Sequence, residues 1–161
     1  MILGRPGSGK TTFASWLSKA LNIPLHHLDK HYFIANWVER DREEFLNIQQ
    51  DIVDSDSWII DGNSIGSLEM RWSRADLVIY FNVPRSVCLI RLINRFLKPN
   101  KMIDDMAPGC HKNLRIPFIK YMWDFEERIN PQINLFKKQY PKAEFKEIRN
   151  DKDLAKLKKE L

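Results

Sequence analysis

The 161-residue sequence has few cysteines and no long hydrophobic run. Cys88 and Cys110 are too few for a disulfide framework, so we expect a reduced, cytoplasmic setting. No apolar stretch approaches the ~20 residues that span a bilayer, and the first residues lack the basic-then-apolar pattern of a signal peptide. No repeat, linker or low-complexity tract divides the chain. We therefore expect one soluble domain over residues 1–161, without a membrane partner.

The net charge of +5 is concentrated near the C-terminus. Residues 137–161 hold nine of the 26 Lys and Arg residues but only five of the 21 Asp and Glu residues. A basic terminal helix is usually a solvated face, and a polyanion-binding surface is the alternative. No helix-turn-helix, zinc-finger or aromatic stacking pattern supports direct reading of DNA. Nucleic acid is therefore a weakly supported partner.

Apolar runs alternate with helical patterns along the chain. Strand candidates are PLHHLD, WIIDG, AEFKEI and DLVIYFNV, of which the last is the most apolar and the best central strand. Amphipathic helices are predicted between them, for example over DREEFLNIQQDIV and PRSVCLIRLINRFL. A long helical region is expected over about 114–139, with Pro117 and Pro131 starting or kinking its segments. Strands that alternate with helices predict a parallel sheet covered on both faces.

The stretch GRPGSGKTT matches the pattern G-x-x-x-x-G-K-[ST]. Inward-pointing N–H groups of such a loop, and the positive end of the helix that follows, favour phosphate oxygens. Lys10 is predicted to reach the β and γ phosphates, and the Thr11 hydroxyl to coordinate Mg²⁺. The predicted ligands are thus ATP and Mg²⁺. The residues expected to bind them are Gly4, Pro6, Gly7, Ser8, Gly9, Lys10, Thr11 and Thr12.

The predicted strand that leads into the loop is unusually short. Only Met1, Ile2 and Leu3 precede it, whereas a typical strand has about 5–6 residues. Either the true start lies upstream or this core strand is short.

Two aspartates follow predicted strands, where ligands of open α/β sheets bind. Asp29 could accept a proton from a hydroxyl acceptor or hold Mg²⁺ through water; an N-cap or surface role is the alternative. Asp61 is the expected partner of the nucleotide's Mg²⁺, and Gly62 would let a substrate approach the backbone. A structural turn is the alternative for this pair.

Arginines form a third set of candidates, because phosphoryl transfer needs cations around the migrating group. Arg91 and Arg95 lie four residues apart on one face of a predicted helix, and Arg71 follows the third strand. For each of them a surface ion pair is the alternative. The histidines His26, His27 and His31 have no zinc-binding spacing.

Several motifs, taken in order, carry a resemblance to a known group. They are GRPGSGKTT, LHHLDKHYF with Trp37, EEF, WIIDGN, RWSRADLVIYFNVPRSVCLIRLINR, DMAPGCHKN and YMWDF. The chain resembles the small P-loop kinases related to adenylate and shikimate kinases. It is more similar still to the family known as DNA topology modulation proteins.

This resemblance implies a three-layer α/β/α P-loop NTPase fold with a five-stranded parallel sheet of order 2-3-1-4-5. It also implies a short lid at about 97–112 and an acceptor pocket formed by residues 29–40 and 61–74. Three departures from the family pattern are visible. Asn82 stands where an aspartate is expected, Ser64 where an aromatic residue is expected, and Lys98 and Lys101 where the lid is arginine-rich.

The sequence thus predicts a kinase that transfers the γ-phosphoryl group of Mg-ATP to a small hydroxyl or phosphate acceptor, nucleotide-like or another metabolite. The alternatives are a nucleotide-dependent regulator associated with DNA topology and an ATPase without a small-molecule acceptor. Expected catalytic residues are Lys10, Asp29, Arg91 and Arg95. Expected substrate-binding residues are Asp29, Trp37, Asp61, Gly62 and Arg71, with Thr11 and Asp61 on the metal.

Overall fold

The computed structural model describes residues 1–97, 108 and 116–161. Its strands form one parallel sheet in the order β2-β3-β1-β4-β5. They are β1 Ile2–Gly4, β2 Leu25–His27, β3 Ile59–Asp61, β4 Leu77–Phe81 and β5 Glu144–Ile148. The helices are α1 Lys10–Leu21, α2 Leu28–Tyr32, α3 Arg42–Asp54, α4 Leu68–Arg74, α5 Arg85–Leu97, α6 Ile116–Trp123, α7 Phe125–Gln139 and α8 Asp151–Glu160.

The predicted sheet order 2-3-1-4-5 and the three-layer arrangement are confirmed. One core cluster joins the sheet to α1, α5 and α8, and a second joins it to α4 and α7. The predicted lid at 97–112 lies outside the described residues except for Leu97 and Pro108.

Strand β4 shows how the sequence produces these layers. Its side chains point alternately to the two faces, because successive residues of a strand face opposite ways. Ile79 and Phe81 pack in the cluster with α1, whereas Val78 and Tyr80 pack in the cluster with α7. The strand is buried inside the sheet between β1 and β5, but the middle position belongs to β1. The most apolar run is therefore an interior strand without being the central one.

The central strand β1 has three residues. Ile2, Leu3 and Gly4 pair with Ile79, Tyr80 and Phe81 of β4, and Ile2 also pairs with β3. All three are buried. Pairing on both sides places the end of β1, and hence the glycine loop, in the middle of the carboxyl edge of the sheet.

Helix α3 begins where local chemistry predicts a helix start. The Asp41 side chain accepts from the N–H groups of Glu43 and Glu44, which caps α3. The long helical region breaks at Asp124, which separates α6 from α7, while Pro131 lies within α7. No helix among the described residues is long and apolar enough to cross a membrane.

Candidate functional site

The glycine loop ends at the N-terminus of α1 without a side-chain cap. Gly9 is the N-cap, with a φ of +96° that residues with a Cβ rarely adopt. The N–H groups of the first helical turn have no partner within a helix. A helix start that no side chain caps offers these donors, together with the helix dipole, to an anion.

Asn63 holds the start of the loop. Its Oδ1 accepts from the N–H of Gly4 at 3.0 Å, and its Nδ2 donates to the carbonyl oxygen of Gly4 at 2.9 Å. One amide side chain thereby pairs with both backbone groups of the residue where β1 becomes the loop. This contact links the loop to the end of β3, two residues beyond Asp61.

Arg5 fixes the loop from the other side. Its side chain is 3% exposed, and its guanidinium donates to the carbonyl oxygens of Met122 at 3.0 Å and Val83 at 2.9 Å. Its Nη2 also lies 3.1 Å from Glu126 Oε2. A loop position that the phosphate-binding pattern leaves unspecified therefore ties the loop to the end of β4 and to α6 and α7.

Asp61, at the end of β3, is buried beside the loop. Burial raises the pKa of its carboxyl, but the Lys10 ammonium and the polar groups of His27 and Thr11 outweigh this, so the pKa lies below its ordinary value. Oδ2 contacts His27 Nδ1 at 3.1 Å, while Oδ1 has no hydrogen-bond partner among the described residues. An ionised, buried oxygen without a partner is costly unless a ligand completes it.

These residues fit a nucleotide-bound Mg²⁺. Magnesium prefers oxygen ligands and is commonly held by one or two protein groups together with substrate phosphates. Among the described residues, no three His, Cys, Asp or Glu side chains are grouped as a metal site. The single carboxylate Asp61 with the neighbouring Thr11 hydroxyl therefore suits a cation that arrives with phosphates.

Arg91 contacts the loop directly. Its Nη1 donates to the carbonyl oxygen of Ser8 at 3.1 Å, and its Nη2 lies 3.1 Å from Asp151 Oδ1 at the start of α8. Arg95 follows one helical turn later and is half-buried. The Ser8 hydroxyl is buried without a hydrogen-bond partner among the described residues. The Arg91 guanidinium thus lies against the loop, and the Ser8 hydroxyl of the loop has no hydrogen-bond partner among the described residues.

Asp29 lies on the other side of the site, in the first turn of α2. It is exposed, and its negative charge acts on the hydroxyl of Tyr121 in α6. Burial raises the pKa of Tyr121, which a hydrogen bond with Asn63 and the charge of Arg128 partly offset. The Arg128 guanidinium lies 5.3 Å from the centre of the Tyr121 ring. Tyr121 therefore lies within the electrostatic influence of residues from three other parts of the fold, namely Asp29, Asn63 and Arg128.

Trp37 lies at the tip of a tight loop after α2. Phe33 and Glu39 pair across this loop, and Asn36 and Trp37 both have positive φ values, of 50° and 64°. The Trp37 ring packs edge-on against Phe33 at 4.9 Å between centroids. The N–H of Asn36 donates to the carbonyl oxygen of Pro108 at 3.0 Å, within the predicted lid.

Arg71 is fully buried and acts on backbone. It donates to the carbonyl oxygens of Gly62 at 3.1 Å, Ser64 at 2.6 Å and Ser67 at 3.3 Å. Burial lowers its pKa to about 9, so it stays charged at neutral pH. These bonds shape the turn that carries Gly62, while a direct contact of Arg71 with an acceptor stays a prediction. Gly62 itself packs against Leu28, leaving no room for a side chain.

Asn82, the departure at the end of β4, donates from Nδ2 to Glu147 Oε1 at 2.8 Å. It faces a cavity of about 570 Å³ at the carboxyl edge of the sheet. Arg85 lies over the Trp123 ring at its rim, 4.4 Å from the centroid. The other lining residues are Arg5, Pro84, Glu126, Glu127 and Asn130.

The fold thus brings the loop, Asp61 and Arg91 together and sets Asp29 at the neighbouring strand end. Sequence reasoning missed the roles of Arg5, His27, Asn63 and Tyr121. Asn63 and Tyr121 lie in stretches that carried the family resemblance, so those stretches held a signal. Arg5 and His27 lie in such stretches too, but the loop pattern leaves position 5 unspecified and its partner Met122 is 117 residues away, so the pattern could not reveal the contacts of Arg5.

Comparison with solved structures gives the fold a family context. The chain matches shikimate kinase from Acinetobacter baumannii in complex with shikimate, at 15% identity and a TM-score of 0.57, over 97% of this chain and 89% of that one. It also matches shikimate kinase from Aquifex aeolicus, at 19% identity and a TM-score of 0.44, over 83% and 96%. No family model and no curated protein match the sequence. The chain therefore has the fold of a P-loop kinase, and membership of the DNA topology modulation family stays a prediction.

Proposed function

We propose that the protein transfers the γ-phosphoryl group of Mg-ATP to a small acceptor bearing a hydroxyl or phosphate group. The observation that carries this proposal is Asp61, a buried carboxylate near Lys10 and Thr11 whose Oδ1 has no hydrogen-bond partner among the described residues. A glycine turn with a purely structural role does not explain why a buried carboxylate oxygen lacks a hydrogen-bond partner. A nucleotide that brings Mg²⁺ would satisfy it.

Different groups of the chain would bind different parts of the nucleotide. The loop N–H groups and Lys10 bind the phosphates, and Thr11 and Asp61 would hold the metal. When bound, Mg²⁺ would neutralise negative charge on the oxygens of the β and γ phosphoryl groups. Arg91, which contacts the loop, would supply further positive charge that stabilises the transferring group, and Arg95, one helical turn later, is proposed to add to it.

The acceptor side has a base and an orienting group. In the proposed step, the acceptor oxygen forms a bond to the γ phosphorus while the bond to the β–γ bridging oxygen breaks and ADP leaves. Asp29 accepts the hydroxyl proton. Tyr121, held by Asn63, and Arg128 beside it would orient the acceptor, with Trp37 as a further contact.

The neighbour bound to shikimate supports a small hydroxylated acceptor, although 15% identity is too low to carry the substrate over. We propose an ATP-consumption screen of nucleosides, nucleoside monophosphates, sugars and shikimate-like acids. An acceptor is identified when ADP formation depends on it and the product gains one phosphoryl group by mass spectrometry.

Two variants test the roles. Lys10→Ala should abolish Mg-ATP binding or turnover with an unchanged circular dichroism spectrum, and full activity in this variant would refute the loop assignment. Asp29→Asn should lose acceptor-dependent turnover yet keep ATP affinity. Turnover equal to wild type would mean that Asp29 is not the base.

The screen, together with a DNA-binding assay, separates the kinase from the two alternative functions. ADP formation that no acceptor increases would favour a simple ATPase. The proposed regulator of DNA topology requires DNA binding, which should weaken steeply between two salt concentrations if it is electrostatic.

A further inference from the structure

His27 and Asp61 form a pair at the edge of the site. They are the last residues of β2 and β3 and lie opposite each other in the parallel register. The His27 side chain is 12% exposed and that of Asp61 is 4% exposed. His27 Nδ1 lies 3.1 Å from Asp61 Oδ2.

This contact selects between the two carboxylate oxygens. An ionised carboxylate accepts hydrogen bonds but cannot donate, so His27 Nδ1 must carry the proton of this bond. The bond therefore fixes the plane of the carboxylate, because tilting the group moves the accepting oxygen away from Nδ1. Oδ1 is then the oxygen without a hydrogen-bond partner among the described residues, in a carboxylate on which Lys10 and Thr11 also act.

We propose that His27 is a positioning residue, which holds Asp61 so that Oδ1 is directed at the Mg²⁺ of the bound nucleotide. The inference rests on the proposed function, because it needs a metal–nucleotide at the loop. The competing explanation is a strand-to-strand pair that stabilises the edge of the sheet and does nothing for the metal. Outer partners that orient a metal ligand typically change metal affinity by about 10–100-fold when removed.

The chain offers a matched control in His26. It is the preceding residue of the same strand and is also half-buried. Its ring packs against the His31 ring, with 5.8 Å between centroids, instead of meeting Asp61. Replacing His26 removes a histidine from the same strand without touching the carboxylate.

The experiment compares His27→Leu, His27→Asn, His27→Gln and His26→Leu in the full chain. Mn²⁺ binding to the protein–ATP complex is followed by electron paramagnetic resonance, and metal-free ATP binding by calorimetry. In His27→Leu, the Mn²⁺ dissociation constant should rise about tenfold or more, while metal-free ATP affinity stays within about twofold. His26→Leu should match wild type.

The amide variants separate positioning from packing. The Asn side chain carries its N–H close to the place of Nδ1 and should restore most of the Mn²⁺ affinity. Gln carries its N–H farther out, near the place of Nε2, and should behave like Leu. If His27→Leu fails to fold, the contrast between Asn and Gln still decides.

Three results would overturn the inference: wild-type Mn²⁺ affinity in His27→Leu or His27→Gln, equal losses of metal-free and metal-dependent binding, or no difference between Asn and Gln. The proposed function fails separately. It fails if wild-type protein shows no ATP binding that depends on Lys10, whatever the His27 variants do.

Discussion

Replacing Arg5 by methionine should destabilise the protein strongly, although the residue lies in a loop. The guanidinium is buried and donates to two carbonyl oxygens, those of Val83 and Met122. Each carbonyl that loses its guanidinium donor costs about 1–3 kcal/mol, since the Cys88 thiol that also lies 3.6 Å from the Val83 oxygen is a weak donor. The ion pair with Glu126 adds about 0–1 kcal/mol, since that side chain is 45% exposed and therefore screened by water. Together these terms predict that the free energy of unfolding falls by about 2–7 kcal/mol.

Denaturant unfolding at pH 7, followed by circular dichroism, measures this loss. Arg85→Met is the matched control, because Arg85 lines the cavity that Arg5 also lines but is exposed, and its contact among the described residues is a cation–π one with Trp123. It should change the unfolding free energy by less than about 1 kcal/mol. An Arg5→Met variant within about 1 kcal/mol of wild type would refute the argument that Arg5 anchors the loop.

Three further changes should have smaller effects. Gly9→Ala should lose about 1–2 kcal/mol through backbone strain alone, because the nearest described atom, Arg91 Nη1, would lie 3.9 Å from the added methyl group, an ordinary van der Waals contact; an unchanged thermal midpoint would contradict this. Asn63→Leu should lose about 1–3 kcal/mol and weaken ATP binding, since both backbone groups of Gly4 lose their partner; calorimetry with ATP would detect it. Burial and neighbouring histidines lower the pKa of His26 and His31, so the unfolded chain binds more protons and stability falls as pH drops below about 6.5. The double variant with Gln at both positions should show a smaller difference between pH 7.5 and 5.5, and an unchanged difference would exclude these histidines as its cause.

Much of the fold could be predicted because its signals are local. The alternation of β4, the Asp41 cap and the glycine loop each depend on neighbours within a few residues. The resemblance then supplied the strand order, which no local pattern encodes. The division between α6 and α7 at Asp124 was not predicted, since the prolines at 117 and 131 were the only breaking signals in view.

The candidate site also combines contacts that the sequence could predict with contacts that it could not. Lys10, Thr11 and Asp61 could be expected to meet, because the ends of parallel strands share one edge of the sheet. The pairing of Asn63 with Gly4 spans 59 residues, and the contact of Arg5 with Met122 spans 117. Such contacts depend on how helices close over the sheet, so neither spacing nor composition could reveal them. Arg71 illustrates the converse, because its position after β3 was visible while its burial among backbone carbonyls was not.

The contacts of the loop also join it to one helix. Asn63 binds Gly4 and interacts with Tyr121, while Arg5 binds the carbonyl oxygen of Met122. Two consecutive residues of α6 are thus linked to two neighbouring residues at the start of the loop: Tyr121 to Gly4 through Asn63, and Met122 directly to Arg5. A displacement of α6 would have to break these bonds or move the loop with it. The group that would orient the acceptor and the loop that would bind the phosphates are therefore linked through Asn63 and Arg5, an arrangement that favours a preorganised site.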